Sequence, residues 1–152
     1  MLTRRGLEPV AGSTPLRLPL TAHQRTSLRG HRRSACGTDL VLQLPRGASL
    51  EAGEWLATEA GELRVCVEAA PESLLAVRSP EPLALVRAAY HLGNRHVALQ
   101  LLPGELRLAA DPVLADLLRR QGLTVEPLTA AFTPDEGAYA AAHHRHHSGV
   151  TA

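Results

Sequence analysis

Along the first seventy residues, apolar side chains come in short runs separated by turn residues, and no helical period is sustained. Residues 16–20, 39–44 and 62–68 therefore read as strands. In the last of these, Leu63, Val65 and Val67 alternate with charged or small neighbours, the period of two that puts them on one face. Pro45-Arg46-Gly47 and Ala60-Gly61 supply the breaks. The pattern predicts a small antiparallel β-rich domain over residues 1–72.

The pattern changes at Ser73. Residues 73–78 read as a strand, after which Ser79 is placed to cap a helix with Pro80 in its first turn, where a missing N–H breaks no helical bond. Leu83, Val86 and Tyr90 recur at helical spacing, and Gly93 is the expected stop. Val97, Leu99 and Leu101 then alternate with Ala98 and Gln100 as a strand. Pro103-Gly104 turns the chain, and residues 105–108 return as the second arm of a hairpin. Asp111 with Pro112 opens a second helix whose apolar stripe is Val113, Leu114, Leu117 and Leu118; Gly122 stops it, and residues 123–128 form a last strand. The order βαββαβ over residues 73–139 is that of a ferredoxin-like domain, so the fold class is α+β. Residues 140–152, dominated by Ala and His, have too little apolar bulk to pack and read as a His-rich mobile tail.

With 152 residues the chain has room for one ordinary domain or two small ones. No run approaches the roughly 18 apolar residues of a membrane-spanning helix, and residues 1–9 carry no hydrophobic signal core, so a cytoplasmic location with no membrane partner is expected. The net charge of +1 hides an asymmetry: residues 1–46 hold eight Arg against Glu8 and Asp39, whereas residues 47–152 hold eight Arg against thirteen acids. The stretch with His23, Arg25, Arg29, His31, Arg32 and Arg33 is suited either to an acidic partner or to a solvated strand pair. Trp55, Tyr90, Phe132 and Tyr139 are the only aromatic residues, too few for a base-stacking platform, and no nucleic-acid partner is expected. Cys36 and Cys66 form no disulfide framework or thiolate zinc site and are expected as half-buried small side chains. The sequence contains no phosphate-binding loop, GxSxG elbow or HExxH, and the acidic pair Asp135-Glu136 lies beside Pro134 in an irregular segment, so no enzyme is expected.

Six of the eight histidines lie in two short windows. In the first, His91 falls in the last turn of a helix, where an imidazolium complements the helix dipole. His96 opens the next strand on the face opposite Val97, Leu99 and Leu101, which directs it, like Gln100, away from the core. A lone exposed His is ordinarily inert, and one imidazole cannot hold a metal ion. The second window, His143-His144-Arg145-His146-His147, puts four imidazoles in five residues. Imidazole suits nickel, copper and zinc, and a His-rich tract signals metal binding without choosing among them. A purification tag and chance solvation are the other readings. Arg145 within the run and the five residues after it weigh against a tag.

The run Ala89-Tyr90-His91-Leu92-Gly93-Asn94-Arg95-His96-Val97-Ala98-Leu99-Gln100, followed by Pro103-Gly104-Glu105-Leu106-Arg107, resembles the signature of the urease accessory nickel metallochaperones, the UreE family. Gly122-Leu123-Thr124-Val125, then Phe132-Thr133-Pro134-Asp135-Glu136-Gly137-Ala138-Tyr139 and a His-rich tail, come in the family's order. The resemblance is specific from about residue 80 onward and loose before it, where Leu44-Pro45-Arg46-Gly47 is similar.

The resemblance implies a β-rich domain concerned with partner polypeptides and a ferredoxin-like metal-binding domain. It also implies a homodimer that binds Ni²⁺ between its subunits and delivers it, with the urease accessory GTPase, to the urease apoprotein complex. The family's central ligand is the second His of the HLGNRH motif, here His96. A two-fold axis beside it pairs two imidazoles, and His143, His144, His146 and His147 add more. Zn²⁺ or Cu²⁺ is expected to bind the same groups in vitro. Some relatives carry further histidines around the start of the second helix, where this chain has Ala110 and Pro112 beside Asp111. Neutral imidazoles release an ion more readily than a closed thiolate cage, and they lose it on protonation. The rival readings are a generic nickel or zinc buffer needing the tail but not His96, a nucleic-acid binder using the basic front, and a peptide-binding assembly factor acting through the first domain.

Overall fold

The computed structural model describes residues 1–6 and 14–136. The chain divides into two compact units, one from Met1 to Ala70 and one from Pro71 onward. The first contains β1 (Arg4–Arg5), β2 (Leu16–Leu20), α1 (Ala22–Arg25), β3 (Arg29–Arg33), β4 (Asp39–Gln43), β5 (Trp55–Ala57) and β6 (Arg64–Ala69). A four-stranded sheet in the order β1-β5-β6-β2 and a separate β3-β4 ribbon enclose a core of Leu2, Leu18, Leu20, Leu42, Leu44, Leu56, Val65 and Val67. Val65 and Val67 are fully buried with Leu63 packed beside them, as their alternation requires.

Two expectations for this unit need correction. Its sheet is mixed: β2 runs parallel to β6, from Leu16 opposite Val65 to Leu20 opposite Ala69. Parallel neighbours require a long crossover, and here the β3-β4 ribbon lies within it. Arg25 is buried, with Nη1 donating to the Leu20 carbonyl at 2.8 Å, so it ties α1 to β2 and is no part of a docking surface. β3, with the sequence Arg-Gly-His-Arg-Arg, has no apolar side chain through which alternation could reveal it.

The second unit runs β7 (Pro71–Arg78), α2 (Pro82–Asn94), β8 (Gln100–Leu102), β9 (Glu105–Ala109), α3 (Pro112–Arg120) and β10 (Thr124–Ala131). The strands are ordered β10-β7-β9-β8 with every neighbouring pair antiparallel, the strand order of a split βαβ sheet. Register places Val125 opposite Val77 and Val77 opposite Leu106. These side chains, with Leu75 and Leu108, meet Leu85, Ala88 and Leu92 of α2 and Ala115 and Leu118 of α3 in one core. Glu105 alternates to the other face, where it is buried against Arg107 and, at 2.7 Å, Arg78. The Arg107 guanidinium, joined by that of Arg78, holds its carboxyl below the usual carboxylate range.

α3 begins and ends as its sequence directs. Asp111 is the N-cap, its Oδ1 accepting from the N–H groups of Val113 and Leu114 at 2.9 and 3.1 Å, and Pro112 is the first helical residue. α2 begins two residues later than expected. Glu81 is the N-cap and Pro82 the first helical residue, while Ser79 Oγ accepts from the Glu81 N–H at 3.1 Å ahead of the helix.

Candidate functional site

α2 turns one stripe toward the sheet, but it is not the one singled out by spacing. Leu83, Val86 and Tyr90 and the set Leu85, Ala88 and Leu92 obey the same helical repeat, offset by two residues, a rotation of about 200°. The core takes Leu85, Ala88 and Leu92. Leu83, Val86 and Tyr90 are left 55%, 62% and 66% exposed. Leu101, on the helix-bearing face through its pairing with Leu106, is also half exposed. Against the sequence expectation, this apolar stripe is a surface.

The exit from α2 differs from expectation as well. Gly93 stays within the helix, where a Cβ would meet no atom within 4 Å, and the helix continues to Asn94. Arg95 is the C-cap, and the next residue, His96, takes the left-handed conformation with φ of 59°. The His96 N–H donates to the Gly93 carbonyl at 3.0 Å and the Val97 N–H to the Leu92 carbonyl at 3.1 Å. This pair of bonds is the Schellman closure of a helix, with His96 in the position that glycine usually fills. Val97 packs on the core beside Leu92, the apolar contact that accompanies the motif. His96 is therefore not on a strand, since β8 begins only at Gln100. Its side chain is exposed and turned away from the core, as expected, but by a helix cap and not by strand alternation.

α3 closes in the same way. The Gly122 N–H donates to the Arg119 carbonyl at 3.0 Å and the Leu123 N–H to the Leu118 carbonyl at 3.2 Å, with Gly122 at φ of 85°. Among the described residues His96 is the one non-glycine residue with positive φ. Nothing in its identity announces this, because the HLGNRH run offers Gly93 as the more obvious stop.

His91 is exposed in the last turn of α2, its ring meeting that of Tyr90 edge to face with centroids 5.7 Å apart. His143, His144, His146 and His147 lie outside the described residues. Among the described residues no three His, Cys, Asp or Glu side chains gather where they could hold an ion, so within one chain His96 stands without companions there. The Asp111 carboxylate is engaged in capping α3.

In the first unit, an open groove of about 370 Å³ is lined by Pro19, Leu20, Gln24, His31, Arg32, Arg33 and Asp39. Arg33 is paired with Asp39 at 3.1 Å, and Arg32 folds over Gly30, whose missing side chain leaves the room. Cys66 is half-buried as expected, and burial pushes its thiol up. Cys36 is exposed instead, in the turn between β3 and β4, where hydrogen bonds from Ser34 and then Thr38 draw its thiol down.

Comparison with known proteins agrees with the second unit. Residues 72–151 match the family model described as UreE urease accessory protein, C-terminal domain. A protein of Parasynechococcus marenigrum is 49% identical over 134 residues, covering 88% of this chain and 89% of the relative. Another, from a Synechococcus species, is 50% identical over 129 residues, 85% of this chain and 83% of its own length. A third, from Thermosynechococcus vestitus, is 45% identical over 138 residues, covering 91% and 96%. Each carries the name urease accessory protein UreE.

Proposed function

The chain belongs to the UreE family of urease accessory proteins, and from that membership we propose that it is a cytoplasmic nickel metallochaperone. It acts as a homodimer, holds Ni²⁺ at paired His96 side chains, and delivers the ion to the urease apoprotein complex with the urease accessory GTPase. The role is that of an accessory protein and not of a catalyst.

One observation carries this reading: the single strained residue of the described backbone is the exposed imidazole of His96. A left-handed L-residue costs about 1–2 kcal/mol relative to its right-handed form, and glycine would occupy the position without that penalty. Strain of this kind is retained where the side chain serves something other than stability. A Schellman closure also fixes the backbone that bears the ring, so the imidazole projects from a rigid base. One such ligand per chain becomes two across a two-fold axis. The stripe of Leu83, Val86 and Tyr90 supplies an apolar face for a second copy, on the helix that ends just before His96.

Imidazole binds through a nitrogen lone pair, so a proton competes directly with the ion. His143, His144, His146 and His147 serve as further ligands, exchanged singly against those of the recipient, and Zn²⁺ or Cu²⁺ occupies the same nitrogens in vitro. The first unit is the part that engages partner polypeptides, and its groove beside Arg32 and Arg33 is the candidate contact. The deciding experiment measures urease activation at limiting nickel with wild type, His96→Ala and a variant with all four tail histidines changed to Ala. His96→Ala is expected to fail while still binding some nickel. If it activates as well as wild type and the tail variant does not, the protein is a His-tail nickel store.

A further inference from the structure

β8 lies at one edge of the second sheet and β10 at the other, yet the chain that leaves β10 is held against β8. The Asp135 N–H donates to the Leu99 carbonyl at 2.7 Å, the Leu101 N–H donates to Asp135 Oδ1 at 2.8 Å, and the Thr133 N–H donates to Gln100 Oε1 at 3.2 Å. Pro134, between the two donors, has no N–H to contribute, and alternate residues of an extended segment face the strand, so proline fits there. The Asp135 carboxylate thereby does what the carbonyl of a neighbouring strand would do. The segment following β10, read from sequence as irregular, is a clip on a sheet edge.

Covering an edge is useful in itself, since unpaired strand groups invite association. The position of this clip suggests a second use. Leu99 follows His96 by three residues, no more than about 10 Å of chain. His143 follows Asp135 by eight residues, a flexible span of roughly 15 Å and at most about 29 Å. Building on the nickel-carrier reading above, we propose that Asp135 is a positioning residue for nickel: it pins the root of the His-rich segment beside the His96 loop, so that the tail imidazoles reach the ion as intramolecular ligands. Pinning raises their effective concentration to the millimolar range without any new contact to the metal. Released from β8, the root is fixed only as far back as β10, at the opposite edge of the sheet.

Nickel titration of the full chain tests this, with Asp135→Ala, Asp135→Asn, the variant lacking the four tail histidines, and that variant combined with Asp135→Ala. Asn keeps an Oδ1 acceptor and is expected to bind like wild type. Asp135→Ala is expected to weaken nickel binding about tenfold, part of the 10²–10⁴ that tethering supplies, and to have no further effect once the tail histidines are gone. Without metal, hydrogen exchange at the Leu101 amide is expected to speed up in Asp135→Ala and not in Asp135→Asn. If the tail variant binds weakly but Asp135→Ala binds like wild type, the tether is overturned while the carrier reading stands. Equal weakening by Asp135→Ala with and without the tail histidines also overturns it, because Asp135 then acts on the His96 loop itself. A tail variant that binds like wild type removes the tail from the proposed site, and the tether falls with it.

Discussion

The two helices of the second unit cover the same sheet and close with the same hydrogen-bond pattern, yet they differ at every position where stability alone would choose the residue. α3 starts on a capping carboxylate, bears the Asp116–Arg120 ion pair at 2.6 Å on its exposed side and ends on Gly122. α2 starts without a side-chain cap, exposes Leu83, Val86 and Tyr90, and ends on a left-handed His96. Local rules agree with one another along α3 and are broken along α2. Consistency across levels is the mark of an element selected to fold, and local violations concentrate where a surface is used. The contrast therefore assigns scaffold duty to α3, and a partner surface and ligand to α2.

The largest expected effect breaks the contrast at the ligand. His96→Ala should lower nickel affinity in a calorimetric titration by more than the roughly 10–100-fold that follows loss of a mere second-shell partner. Its stability should stay within about 0.5 kcal/mol of wild type, as for a surface substitution. Gly122→Ala, at the matching position of α3, should leave nickel binding untouched. A His96→Ala protein that binds nickel like wild type would remove the reason for the strained residue.

Next in size is the exposed face. Val86→Glu places a charge in the middle of the α2 stripe and should raise the dimer dissociation constant on the order of 100-fold, the scale of a central interface residue. Sedimentation equilibrium checks this. Val113→Glu is the control, because Val113 is the one large apolar residue of α3 that is as exposed, at 74%. If Val113→Glu dissociates the dimer and Val86→Glu does not, the two helices have been assigned the wrong way round.

The same contrast explains how far the sequence could be read. α3 was legible because Asp111, Pro112 and Gly122 each have a local chemical reason to sit where they do. The order of elements was legible for the same reason, with Pro103-Gly104 at the hairpin. The face of α2 was not, since two stripes share one period and only the sheet decides which is buried. Its exit was misread because glycine is the default at a left-handed cap, which makes Gly93 the natural expectation and His96 invisible. In the first unit the parallel pairing of β2 with β6 depends on contacts far apart in sequence, and no local pattern reports it. His96 as the family's ligand came from the motif, and its strained backbone came only from the fold. The clip at Asp135 had no signal beyond the recurring Phe132-Thr133-Pro134-Asp135 run.

A smaller effect concerns the helix starts. Asp111→Ala removes an acceptor for two backbone N–H groups and should cost about 1 kcal/mol in denaturant unfolding. Glu81→Ala takes away a side chain that makes no capping bond and should be nearly neutral. Equal losses would mean that α2 is capped in solution after all.

The smallest expected effect is also the sharpest, because it reverses sign between the helices. His96→Gly relieves a left-handed conformation worth about 1–2 kcal/mol but gives the unfolded chain more freedom, which takes back about 0.4–1 kcal/mol. The net expectation is a gain on the order of 0.5 kcal/mol, accompanied by loss of nickel binding. Gly122→His should lose a similar amount. A Cβ at Gly122 meets no atom within 4 Å, so the backbone alone is being tested and no collision confounds the comparison. Thermal unfolding of both proteins without metal measures the pair. Opposite shifts would show that the two exits are physically equivalent and that His96 is kept for its imidazole. If His96→Gly instead destabilises the metal-free protein, the ring contributes to folding through contacts of its own, and strain at this residue ceases to be an argument for function.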